Sequence, residues 1–160
     1  MTQTTEKRSD GKALSLYEQD ILLWVEETAA KLRAKDFEHL DLENLIEEVE
    51  SLGISQRREL FSRLNRLLEH LLKRIYVNSP RNYSGWEQTI RHQRVELKKL
   101  LQTAPSLKSQ WEENVEEAWE SALENIRKEY RKIPFPDHWP HDRSVEFLLN
   151  EDPWIDENHD

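Results

Sequence analysis

Cysteine is absent from the 160 residues, which excludes disulfides, thiolate metal sites and a cysteine nucleophile together. Glycine and proline are scarce, at three and six, so few positions invite turns. No apolar run approaches the about 18 residues needed to span a bilayer, and the opening MTQTTEKRSDGK lacks the apolar stretch of a secretion signal. We therefore expect a cytoplasmic protein with no membrane partner. Alternating apolar stretches long enough for strands are missing, and no repeat recurs at a fixed period.

What the chain does contain is helix-forming residues and charge. Leu, Glu, Lys and Arg dominate, and these lose little side-chain freedom in a helix. Hydrophobic residues make up 36% and charged residues 34%, a lean core under a charged exterior. The length fits one compact all-α domain. We expect a flexible tail over 1–14, a helical bundle of about five main helices and a short C-terminal helix over 15–150, and an acidic tail over 151–160.

Apolar spacing of three and four residues places the elements. Tyr17, Ile21, Trp24, Val25, Thr28, Ala29 and Leu32 predict a helix from Tyr17 to Ala34, with Ser15 as N-cap. Asp41 is positioned to cap a second helix buried through Leu42, Leu45, Ile46, Val49 and Leu52, ended by Gly53. Ser55 then caps a third, whose stripe of Leu60, Leu64, Leu67, Leu68, Leu71 and Ile75 ends before Asn78-Ser79-Pro80. Ser84-Gly85-Trp86-Glu87 has the form of a capping box for a fourth helix running to about Gln102, with Trp86, Ile90, Leu97 and Leu101 inward. After Thr103-Ala104-Pro105-Ser106 a long fifth helix carries Leu107, Trp111, Val115, Ala118, Trp119, Ala122, Ile126 and Tyr130. Prolines 134, 136 and 140 end regular structure before a short helix over Ser144 to Asn150.

These residues bring a family into view. The chain resembles the domain-of-unknown-function family number twenty-nine, uncharacterised helical proteins of cyanobacterial type. The likeness runs from about Leu16 to Leu149. It rests on Tyr17-x-x-Asp20-x-x-x-Trp24, Leu40-Asp41-Leu42-x-Asn44-Leu45-Ile46-Glu47-Glu48-Val49 and His70-Leu71-Leu72-Lys73. Trp86-x-x-Thr89-Ile90-x-x-Gln93-Arg94 and Pro105-Ser106-Leu107 complete it. The resemblance implies a helical bundle without an assigned activity.

Charge is unevenly spread within the net −9. Between Gln56 and Lys99 stand eleven Lys/Arg against four Asp/Glu, so the remainder holds twelve against twenty-eight. Either the middle makes a phosphate-binding face or acidic neighbours satisfy it internally. At about 100° per residue, Arg63, Arg66, His70, Lys73 and Arg74 share a stripe, and Arg91, Arg94 and Lys98 would widen the patch. Arg63 and His70 fit the permissive Arg-x(4–6)-His pattern of helical-bundle nucleases. In such a pair His70 moves a proton at a ribose 2′-hydroxyl while Arg63 stabilises phosphoryl charge, with no metal or other cofactor. The alternative places His70 at the core edge and pairs the arginines with carboxylates.

Two metal readings are weaker. Glu43, Glu47, Glu48 and Glu50, with Asp20 or His70, are residue types that build sites inside bundles, but the Glu-x-x-His signature is missing. Asp137, His138, His141 and Asp142 have zinc-like spacing without a distant partner pair. With catalytic signatures lacking, the first functional expectation is a small helical module that binds an unknown protein partner, or a second copy, through a residual apolar face. A metal-independent endoribonuclease and a nucleic-acid binder using residues 57–99 are the alternatives.

Overall fold

The computed structural model describes residues 13–155 and is all-α: among the described residues there is no strand. Of the expected tails, residues 1–12 and 156–160 lie outside the described residues. The chain divides into two compact units, one up to Ser51 and one from Leu52 onward. Among the described residues no helix is long and apolar enough to cross a membrane.

The first unit begins with α1 (Leu16–Gln19) and α2 (Ile21–Arg33). Ser15 opens α1 through a reciprocal capping box: its hydroxyl accepts from the Glu18 amide and the Glu18 carboxylate accepts from its own amide at 2.8 Å. The spacing predicts one helix over Tyr17 to Ala34, but the chain breaks at Asp20. There φ is −153°, and the carboxylate accepts from the Leu23 amide at 3.0 Å, which starts α2 afresh. Lys35, at φ 56°, closes α2 in the left-handed region. Its amide reaches the Leu32 carbonyl and the Asp36 amide reaches that of Lys31, the Schellman pattern with lysine where glycine is preferred. Asp41 then caps α3 (Leu42–Tyr76) by accepting from Asn44.

α3 is a single helix of 35 residues. The expected stop at Gly53 and restart at Ser55 do not occur. Gly53 lies outside the positive-φ region, and a glycine inside a helix costs only about 1 kcal/mol against alanine, too little to end a helix that Leu, Glu and Arg support on both sides. α4 (Pro80–Thr103) starts four residues before the expected capping box. Proline at N1 has φ preset for a helix, so Ser79 is the cap and Ser84 is interior. Glu87 is thereby freed to pair with Arg74 at 2.6 Å. Pro105–Gln110 form a 3₁₀ turn rather than the first turns of a long fifth helix; α5 (Trp111–Glu129) follows, and the expected short helix is α6 (Val145–Asn150), which opens on the Ser144 hydroxyl.

The hydrophobic core lies in the second unit. Leu60, Leu64, Leu67, Leu68, Leu71 and Leu72 of α3 meet Ile90 and Leu97 of α4 and Val115, Ala118, Ala122 and Ile126 of α5, all essentially without solvent exposure. Burying each leucine contributes about 1.5–3 kcal/mol. Phe135, Trp139, Leu148 and Leu149 close the core from the C-terminal segment. Three indole N–H groups hold that segment down, donating from Trp111 to the Arg143 carbonyl at 2.8 Å, from Trp119 to Asp137 at 3.2 Å and from Trp139 to Asp142 at 3.1 Å.

Candidate functional site

Five of the eleven cations in the basic middle segment, Arg63, Lys73, Arg74, Arg94 and Lys99, are paired with carboxylates of the same chain. The Arg63 guanidinium donates to Glu59 at 2.7 Å, Gln93 at 3.2 Å and Glu96 at 3.5 Å. Lys73 pairs with Glu129 at 3.0 Å, and Arg74 pairs with Glu87 while lying 4.0 Å from the Tyr83 ring centre and 5.0 Å from that of Trp154. Arg94 departs furthest from the expected patch. It is 8% exposed, and donates to the Leu148 carbonyl at 2.9 Å, to the Asp152 carboxylate at 2.6 Å and to the Glu151 carbonyl. It is thus a cap on the C-terminal end of α6 rather than a surface cation, because the end of that helix presents carbonyls that need donors. Arg91 and Lys98 of the same helical stripe stay exposed.

His70 is 7% exposed. Its Nδ1 is 2.9 Å from the Arg66 carbonyl oxygen, an acceptor only, so Nδ1 carries the proton and donates. Burial pushes the imidazole below its ordinary 6.5, and the nearby Lys73 and Arg66 cations push the same way, against the Arg66 carbonyl and Glu69. Arg63 and His70 are thus each committed to separate local partners.

Two open grooves flank α3 in the second unit. One of about 510 Å³ is lined by Ser55, Arg58, Glu59, Arg63, Arg66 and Gln93, among others. The other, of about 440 Å³, includes Arg57, Arg58, Phe61 and Glu117. Arg57, Arg58 and Arg66, which line these grooves, are exposed.

The metal readings find no assembled ligand set: among the described residues no group of three or more His, Asp or Glu comes together. Glu48 accepts from the Tyr17 hydroxyl at 2.6 Å, a bond that lifts the phenol to about 12. Asp137 pairs with Arg127 and Asp142 binds Ser144. His141 stacks on Phe147 and meets Trp139 edge to face.

The feature that periodicity did not expose is in the first unit. Of the stripes assigned to a core there, only Trp24 and Thr28 are buried. Ile21, Leu22, Val25 and Leu32 of α2 and Leu42, Ile46 and Val49 of α3 are exposed by 41–67%. Amphipathic spacing reports that a face is apolar and not that anything covers it. This unit offers too few elements to cover both stripes. The contrast between these bare aliphatic side chains and their buried counterparts beyond Leu60 is the signal that distinguishes the face.

No curated protein and no solved structure matches the chain. The family model described as "Domain of unknown function DUF29" matches residues 16–154, which include every described helix, and the chain belongs to that family.

Proposed function

We propose that the protein acts by binding another protein through the exposed apolar face of its first unit. The observation that carries this reading is the run of aliphatic side chains on α2 and the start of α3 left open to water, with Val25 47% and Ile46 49% exposed. Contiguous apolar surface of that kind marks interaction sites in folded proteins. A photo-crosslinking residue at position 25 or 46, introduced in the native cell, is expected to give discrete protein adducts. The same residue at the exposed position of Lys132 is not. Identical adduct patterns from all three positions would end the reading.

A second reading, nucleic-acid binding, is supported by the groove of Arg58, Arg63 and Arg66. Phosphate contacts there would give an affinity that falls steeply with salt, and a flat salt response of labelled RNA counts against it. Cleavage by Arg63 and His70 draws less support, since His70 is buried. RNA left intact by the protein in chelator would remove it.

A further inference from the structure

The exposed face has a chemistry that restricts what can cover it, and this inference rests on the protein-binding reading above. Within the first unit the chain from Tyr17 to Trp24 runs antiparallel to the start of α3: Tyr17 meets Glu48 and Trp24 lies beside Asp41. On α2, Ile21, Val25 and Leu32 follow the inward Trp24 and Thr28 by about a sixth of a turn, at roughly 100° per residue. On α3, Leu42, Ile46 and Val49 follow the half-buried Asn44, Leu45 and Glu48 in the same rotational sense. Antiparallel helices rotated in the same sense from their contact present the two stripes on one side of the pair. The six side chains therefore make up an apolar patch on that side.

Its rim is acidic. The same wheel puts Glu43 and Glu50 beside the α3 stripe, within about 60° of Ile46, and Glu26 and Glu47 about 100° beyond Val25 and Ile46, all exposed. Over residues 13–51 eleven Asp/Glu stand against Lys31, Arg33 and Lys35. A second copy of this unit would bring its own glutamates against these, and like charges around a shared apolar seam oppose association. The second unit of another copy offers no matching stripe, since beyond Ile54 its exposed large aliphatics are Val95 and Ile155. Neither terminal segment supplies one: residues 1–12 contain one large apolar residue, Met1, and residues 156–160 are Asp-Glu-Asn-His-Asp.

We propose that this patch receives a basic amphipathic helix of a different protein, whose Leu, Ile or Val stripe seats between α2 and α3 while flanking Lys and Arg meet the glutamate rim. Apolar burial supplies the affinity and the rim selects the partner by charge.

The test uses the full chain and two peptides of about 18 residues, each with leucine at i, i+3, i+4 and i+7, one filled with lysine and the other with glutamate. The lysine peptide is expected to bind and to weaken with salt, with the glutamate peptide at least about tenfold weaker. Val25→Gln with Ile46→Gln, exposed positions whose change leaves charge intact, should reduce lysine-peptide binding about tenfold or more with an unchanged far-UV spectrum. Glu43→Gln with Glu50→Gln should narrow the gap between the peptides while keeping the stripe. Equal affinity for both peptides overturns the charge selection and leaves apolar docking standing. Lysine-peptide binding that ignores the Val25 and Ile46 changes overturns the site. A dimer dissolved by those same changes in sedimentation overturns the choice of partner in favour of a second copy. If neither peptide binds, this inference fails, and the cross-links from positions 25 and 46 still decide whether the face binds protein at all.

Discussion

Leu67 and Ile46 stand on the same helix, in stripes of the same period, with opposite fates. Leu67 is fully buried among α4 and α5, whereas Ile46 is half open to water. The second unit brings three long helices and a C-terminal strap around its leucines; the first brings two short helices and the beginning of a third. A shared amphipathic pattern thus serves folding in one place and remains available for recognition in the other. The difference is made by the number of neighbours and not by the pattern.

Truncation should separate the two most sharply. Leu67→Ala is expected to lower unfolding stability by about 2–5 kcal/mol, and Ile46→Ala by no more than about 0.5 kcal/mol, read from urea midpoints. Equal losses would mean that the first unit's stripe is covered in solution and would break the contrast. Next in size is Arg94→Met, which removes the donors for Leu148, Glu151 and Asp152. A loss of about 2–3 kcal/mol is expected, together with a changed Trp154 emission as the segment loosens. An unaltered midpoint would show that apolar packing alone holds the segment.

Lys35→Gly addresses the first unit. Lysine holds φ 56° there, so glycine should raise stability by about 1 kcal/mol, and a loss instead would mean that the side chain does more than tolerate the turn. Gly53→Ala lies where the two regions join on α3, and an added Cβ there meets nothing within 4 Å. A gain of about 0.5–1 kcal/mol in midpoint is the expected result. A decrease would show that helix continuity at the junction is resisted.

A pH series distinguishes the units through His70. Its depressed folded pKa means that the unfolded chain takes up the proton first. The contribution is therefore complete above about pH 6.5 and is lost as pH falls through the lower folded value. His70→Gln should flatten that acid-side decline, and identical slopes in both proteins would refute the assignment.

Much of this architecture was legible beforehand. The leucine run from Leu60 to Leu71, the Ser15 and Asp41 caps, the short last helix and the inward face of α5 follow directly from spacing and cap chemistry. Gly53 and Ser84 misled for a common reason: each carries a real local preference, worth about 1 kcal/mol, that continuous helix on both sides outweighs. Arg94 was unreadable because its partners lie 54–58 residues downstream, a separation that no helical wheel spans. The open face was visible as a pattern, but its exposure depends on which elements arrive to cover it, which local sequence does not state.

The indole bonds of Trp111, Trp119 and Trp139 have an optical consequence. Five of the six tryptophans belong to the second unit and Trp24 alone to the first. Emission from the native chain is therefore dominated by the strap and core, and a difference spectrum against Trp24→Phe isolates the small helical pair that carries the acidic-rimmed patch. The molecule is its own two-channel gauge, one channel for integrity and one for occupancy.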